Sequence, residues 1–180
     1  MRSLLLLAVL VCGAQAAWAA SSAEVLAVQD LLARGQAQAA LQRMEARPAG
    51  NPAASTNPGS EDAELRFLRG VALMDLQRND DALQWFERMT QDHPELPDPF
   101  NNIALLHVRA GRLEPARQAL EAALRNDPSF RVARANLGLV HLMLAVQSWE
   151  QALAGGPIDP QLTRRLEGAR ALLATASRQP

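Results

Sequence analysis

The sequence predicts an all-α protein in which helical hairpins are stacked and a single terminal helix closes the stack. The first observation is a repeat: four apolar or proline positions recur 34 residues later in the chain. These pairs are Ala82 and Ala116, Phe86 and Leu120, Met89 and Ala123, and Pro94 and Pro128. The second observation is helical spacing of the apolar residues within each half repeat, and the third is a turn signal between the halves.

The first 19 residues have the features of a secretory signal peptide. Met1-Arg2-Ser3 supplies a positive charge, Leu4 to Val11 is a short apolar run, and a small-residue stretch ends near Ala19. The apolar run is too short to anchor the chain in a membrane, so we expect cleavage after Ala19 and no membrane insertion afterwards. The predicted location is periplasmic or secreted.

Cys12 is the only cysteine, and it would leave with the signal peptide. A lipoprotein signal would need a small residue before the cysteine, whereas Val11 precedes Cys12. The mature chain would therefore have no disulfide, no thiolate nucleophile and no cysteine-ligated metal.

The charges are evenly balanced along the chain. All 18 basic residues are arginines, they are offset by 19 acidic residues, and no basic block is present. Nucleic acids and anionic membrane surfaces are therefore poor partner candidates. The absence of lysine and tyrosine indicates coding bias in a GC-rich genome, which favours a bacterial envelope protein.

Residues 20–47 are predicted to form a degenerate first hairpin. Its helices would run from Ser22 to Arg34 and from Gln36 to Ala46, with Gly35 in the turn. Residues 48–60 follow, rich in Pro, Gly, Asn and Ser and without periodicity, and they are predicted to form a mobile loop.

Two well-defined repeats follow, at 63–96 and 97–130, within a repeat region that spans 61–157. In the first, Asn79-Asp80 is predicted to form a turn and helix cap. In the second, Gly111 marks the turn, and Asn126-Asp127-Pro128 ends the second helix.

The third repeat, 131–157, departs from this pattern. The residues typical of a second helix come about five positions sooner after Gly138 than they do after the small residue of the preceding repeats. No Gly, Pro, Asn or Asp occurs between Leu139 and Ala154. One helix from about Phe130 to Ala154, about 36 Å long, is therefore favoured over a hairpin.

Residues 158–180 are predicted to form a capping helix and tail, with Asp159 as the cap residue and Pro160 in the first turn. A stripe of apolar residues would seal the open end of the stack. The stripe consists of Leu162, Leu166, Ala169, Leu172 and Leu173.

The repeat, with small residues at Gly70, Ala104 and Gly138, resembles the tetratricopeptide repeat (TPR) family. The resemblance implies an α-solenoid of about three to four helix pairs with a C-terminal capping helix. It also implies a groove, lined by the first helix of each repeat, that receives a partner segment. The groove residues implied are Phe67, Val71, Met74, Asn101, Asn102, Leu105, Arg109, Asn136 and Leu139. Asn102 and Asn136 would clamp a peptide backbone, or else serve in capping or interhelical hydrogen bonds.

The sequence shows no constellation for catalysis, and we predict no catalytic residue, metal or cofactor. His93, His107 and His141 are the only histidines, and none lies in a nucleophile motif. His107 and His141 are one repeat apart, a position that the resemblance assigns to packing, and equivalent helix positions are too distant to share one metal ion.

The predicted function is that of a non-enzymatic envelope adaptor or assembly factor that holds a segment of another protein in the groove. One alternative is a structural component that self-associates through the long third-repeat helix. Another is an accessory subunit of an envelope enzyme or secretion machine.

Overall fold

The computed structural model describes residues 23–46, 63–156 and 159–176. The predicted signal peptide, the predicted loop at 48–60 and the last four residues lie outside these ranges. The described residues form eight α-helices and no strand, so the predicted all-α class is confirmed. The helices are α1 (23–33), α2 (Ala37–Glu45), α3 (Ala63–Asp75), α4 (Asn79–Asp92), α5 (Pro97–Arg109), α6 (Leu113–Asn126), α7 (Arg131–Ala154) and α8 (Pro160–Ala176).

The chain divides into two compact units, Met1–His93 and Pro94–Pro180. In unit 1, α1 and α2 form the predicted first hairpin. Its turn contains Gly35 at φ 70°, a left-handed conformation that glycine adopts without a steric penalty. The Arg43 guanidinium joins the two helices through two hydrogen bonds of 2.9 Å to the Glu24 carboxylate.

The second hairpin of unit 1 is closed by direct contact between a glycine and an aromatic ring. A Cβ atom at Gly70 on α3 would lie 2.4 Å from Cζ of Phe86 on α4, and Phe86 is fully buried. The Phe67 ring packs against Phe86 with a centroid separation of 5.8 Å. The helices can approach this closely only because position 70 has no side chain.

The turn between α3 and α4 lies earlier than the sequence predicted. Gln77 adopts a left-handed conformation with φ 58°, and Arg78 N–H donates to the Leu73 carbonyl at 3.0 Å. This is a helix-ending geometry in which glycine is usual, and Gly111 has it 34 residues later with φ 72°. Asn79 therefore begins α4, and the prediction that Asn79-Asp80 forms the turn is wrong.

In unit 2, α5 packs on α6, α6 on α7, and α7 on α8. Small residues bring the first two of these pairs together. The core contains Ala104, Ala116, Leu120, Ala123, Ala133 and Val140.

The long third-repeat helix is confirmed: α7 runs without interruption for 24 residues. At 1.5 Å per residue its length is about 36 Å. Only Ala133 and Val140 are buried along it, so most of its apolar side chains remain partly exposed. Gly138 is exposed, and a Cβ added there would meet nothing within 4 Å. Of the helices that the structure describes, none is long and apolar enough to span a membrane.

The cap of α8 is confirmed, because the Asp159 carboxylate accepts a hydrogen bond of 2.9 Å from Gln161 N–H. Leu166 and Ala169 are buried, but Leu172 is 62% exposed, so the predicted apolar stripe does not include it. At about 100° per residue, Leu172 lies about 120° around the helix from the buried Leu166, so it is outside the face that Leu166 and Ala169 share.

We expect Gly70→Ala to destabilise the protein by about 1–3 kcal/mol, because the added methyl group would overlap the Phe86 ring. Gly138→Ala is the matched control, since it adds the same methyl group in open space. Alanine favours helix by up to about 1 kcal/mol over glycine, so this control should stabilise. Urea unfolding followed by circular dichroism measures both, and equal stability of the two variants would contradict the contact.

A double variant tests the same contact from the other side. Gly70→Ala with Phe86→Leu reproduces the Ala104 and Leu120 pair of the next repeat. The smaller leucine leaves room for the methyl group. We therefore expect Gly70→Ala to cost less stability when it is added to Phe86→Leu than when it is added to the parent protein.

Candidate functional site

The candidate site in unit 2 is the face that α5 and α7 share, here called the α5–α7 face. It contains Asn101, Asn102, Leu105 and Arg109 from α5, and Val132, Asn136 and Leu139 from α7. Asn136 Nδ2–H donates a hydrogen bond of 2.9 Å to Asn101 Oδ1. Asn101 is 7% exposed, so this bond satisfies a buried amide and joins the two helices.

The hydrogen bond between Asn136 and Asn101 bears on the roles predicted for Asn102 and Asn136. The sequence suggested that Asn102 and Asn136 act as equivalent rungs, yet Asn136 bonds Asn101 and Asn102 is only half-buried. The interhelical bonding left open by the sequence is therefore the role that the structure shows for Asn136.

Apolar side chains flank this asparagine pair. Val132 is 55% exposed and Leu139 is 38% exposed, while Leu105 is half-buried and Arg109 is exposed. Residues seven apart differ by only about 20° around a helix, so Val132 and Leu139 lie on the same side of α7.

The three groove residues predicted in unit 1 differ in accessibility. Met74 is 6% exposed, which leaves it little surface for a partner. Phe67 and Val71 are half-buried, and Phe67 also contacts the core ring of Phe86. The groove role of these residues stays a prediction.

A buried arginine, which the sequence did not single out, organises α3 and α4. The side chain of Arg66 is 7% exposed and donates to the Asp92 carboxylate. Its Nη1 lies 3.3 Å from His93 Nε2, which must accept because a guanidinium only donates. Trp85 Nε1–H donates to the Arg66 carbonyl at 2.7 Å. The sequence offered one signal for this role: Arg66 stands at the repeat position that the aromatic Phe100 occupies 34 residues later.

The ring of His107 is also engaged by an arginine, because Arg112 Nε–H donates to His107 Nδ1 at 3.0 Å. His141 is exposed on α7. Within the described ranges, no three His, Cys, Asp or Glu side chains are grouped so that they could hold a metal ion.

Two comparisons with known proteins bear on this architecture. The family described as "Tetratricopeptide repeat" matches residues 25–97 and 101–179, so α8 lies within the second match. The structure described as "Structure of Naa15/Naa10 bound to HypK-THB" is similar with a TM-score of 0.56 at 16% sequence identity. That similarity covers 89% of this chain but 26% of the other chain. The chain thus spans about a quarter of that protein, and the likeness shows a shared fold.

The Arg66–Asp92 pair predicts a pH dependence of stability. The hydrogen bond from Arg66 holds the pKa of the Asp92 carboxyl below its usual range. A carboxyl of this kind stabilises the fold above the ordinary aspartate pKa, and the contribution is lost as pH falls through the lowered value. We expect Asp92→Asn to be less stable than the parent at neutral pH and to lose less stability on acidification. Urea midpoints at neutral and acid pH test this, and parallel profiles would contradict it.

The asparagine pair predicts a difference between neighbouring positions. Asn136→Ala removes the donor to a buried carboxamide oxygen, so we expect a loss of about 1–2 kcal/mol in the free energy of unfolding. Asn102→Ala removes the adjacent amide but leaves the bond intact, and it should change stability by less than about 0.5 kcal/mol. A larger loss for Asn102→Ala would mean that the pairing is misassigned.

Proposed function

Because the chain belongs to the tetratricopeptide repeat family, we propose that it is a non-enzymatic adaptor that holds a segment of a partner protein on its α5–α7 face. The carrying observation is that Val132 and Leu139 are exposed on one side of α7, next to the hydrogen-bonded pair Asn101–Asn136. Apolar side chains in such a position gain free energy when a partner covers them.

The hydrogen bond between Asn136 and Asn101 makes this face suitable for recognition. Because the amides hold each other, α5 and α7 are joined before a partner arrives, and less conformational freedom is lost on binding. Arg109 lies at the exposed end of α5 and can add charge selectivity at the rim. Affinity would come from the apolar side chains, and register from the polar ones.

A binding role also fits the state of the histidines. His93 Nε2 and His107 Nδ1 each accept a hydrogen bond from an arginine side chain, so both rings take part in contacts between neighbouring side chains. These contacts support structural roles for both residues. We therefore propose a binding function rather than catalysis.

We place the adaptor in the bacterial cell envelope on the strength of the predicted signal peptide in residues 1–19. An envelope partner could be a single client or an enzyme complex or secretion machine of which this chain is an accessory subunit. Fractionation of cells that carry the chain with a C-terminal tag tests the location, and a cytoplasmic, full-length product would overturn it.

A second candidate is self-association through α7, because its exposed Val132 and Leu139 would also fit a second copy. Light scattering across a concentration series distinguishes the two. A dimer that Leu139→Glu dissociates would favour the structural role, whereas a monomer at all concentrations leaves the face available for another protein.

The adaptor proposal is tested by affinity capture from a native envelope fraction with the mature chain as bait. Leu139→Glu places a charge on the α5–α7 face, and Leu172→Glu makes the same change at an exposed leucine of α8. We expect Leu139→Glu to reduce capture of a specific protein about tenfold or more, and Leu172→Glu to leave it intact. Equal capture by both variants would show that the partner binds elsewhere.

A further inference from the structure

A separate cavity, open to solvent, lies in unit 1 and is lined by residues of α2, α3 and α4 and of the turn before α4; it is called here the α2–α4 cavity. Its volume is about 170 Å³. Leu41 and Leu73 are buried beneath it, and Trp85 forms part of its wall. Three arginines and two carboxylates also line it. The cavity therefore combines an apolar base with charged side chains.

An arginine is held in a fixed orientation on the wall of this cavity. The Arg69 guanidinium lies over the Trp85 ring, with Cζ 4.8 Å from the ring centroid, and Trp85 is itself fixed by its hydrogen bond to the Arg66 carbonyl. A guanidinium has five N–H groups, so this contact still leaves donors for hydrogen bonds. One of these reaches the Glu45 carboxylate at 3.4 Å, a long contact between partly exposed groups. A better-placed acceptor could replace it.

The remaining charges leave the cavity positive. Arg78 is paired with Asp81 at 2.7 Å. Arg88 is exposed and makes no ion pair with any residue in the described part of the chain. Three arginines against Glu45 and Asp81 thus give the cavity one net positive charge.

The repeat itself shows that the hairpin does not require these side chains. One repeat later, 34 positions along the chain, Ile103 replaces Arg69, Ala119 replaces Trp85 and Ala122 replaces Arg88. The α5–α6 hairpin forms with these apolar residues. Arg69, Trp85 and Arg88 are therefore not needed to form a hairpin of this kind, and their combination in unit 1 suggests a role in binding.

We propose that the α2–α4 cavity binds the carboxylate of an acidic residue in a peptide segment of a partner protein. Arg69 and Arg88 would donate to the carboxylate, and an adjoining apolar side chain would pack beside Trp85, which is half-buried in the cavity wall. Two guanidinium groups can donate to the two oxygens of one carboxylate, so Arg69 and Arg88 suit a single acidic side chain. This site shares no residue with the α5–α7 face and does not depend on it.

The test is a titration of the mature chain with a short acidic peptide, followed by the NMR signal of the Trp85 indole N–H. The probe is the N-acetylated, C-amidated tetrapeptide Gly-Glu-Leu-Gly, and its Gly-Gln-Leu-Gly form is the uncharged control. We expect the glutamate peptide to shift the Trp85 signal saturably and the glutamine peptide to leave it in place. No shift at about 10 mM peptide, which would nearly fill even a site with a Kd of about 1 mM, would overturn the proposal.

Two arginine variants separate a specific site from diffuse attraction. Arg88→Ala introduces the residue of the next repeat and should raise the Kd about tenfold, because a charge-assisted hydrogen bond is lost. Arg125→Ala removes the same charge from an exposed position on α6 and should leave the Kd within about twofold of the parent value. Equal weakening by both variants would show that the peptide is attracted by the overall charge of the protein and not by a specific site.

A third peptide distinguishes the two sources of an oxyanion. In this peptide phosphoserine replaces the glutamate. Because two guanidinium groups match the two oxygens of a carboxylate, we expect the phosphopeptide to bind no more tightly than the glutamate peptide. Tighter binding of the phosphopeptide would overturn the assignment to a carboxylate. Leu139→Glu should not alter either titration, so the outcome is independent of the α5–α7 face.

Discussion

The close approach of α3 to α4 at Gly70 and Phe86 is the constraint on which the features of unit 1 depend. Because position 70 has no side chain, the Phe86 ring lies directly against the α3 backbone. The same approach brings Trp85, one residue earlier on α4, within 2.7 Å of the Arg66 carbonyl. Trp85 in turn supports Arg69, so the orientation of the cavity arginine follows from the contact between the two helices.

Arg66 of α3 is also buried, and its partners lie at the end of α4. A cation in a position that is 6% exposed is tolerated only with partners, and the end of α4 supplies them through Asp92 and His93. The next repeat has the apolar Phe100 at this position. At this one position, one repeat thus has an ion pair and the next has an apolar side chain, although both keep the same period.

Unit 2 shows what happens when the turn of a repeat is displaced to the end of a long helix. Gly138 occupies the small-residue position, but no helix packs on it, and α7 continues to Ala154. Its apolar residues therefore remain partly exposed, and Val132 and Leu139 form an accessible stripe. The departure from the repeat pattern is the displacement of the turn to the end of α7, and the exposed Val132 and Leu139 lie on the side of this helix that carries Asn136.

The sequence by itself determined the features that depend on local chemistry. The 34-residue period is visible in the sequence itself. The glycine turns at Gly35 and Gly111, the cap at Asp159 and the uninterrupted α7 each follow from residues close together in the chain. Only the tertiary structure decided which side chains meet and which stay exposed. Asn136 pairs with Asn101, Gln77 takes the turn, Leu172 faces outward and Met74 is buried. Periodicity gives the face on which a residue lies, but what covers that face depends on neighbouring helices, whose distance and rotation are set by contacts such as that of Gly70 with Phe86.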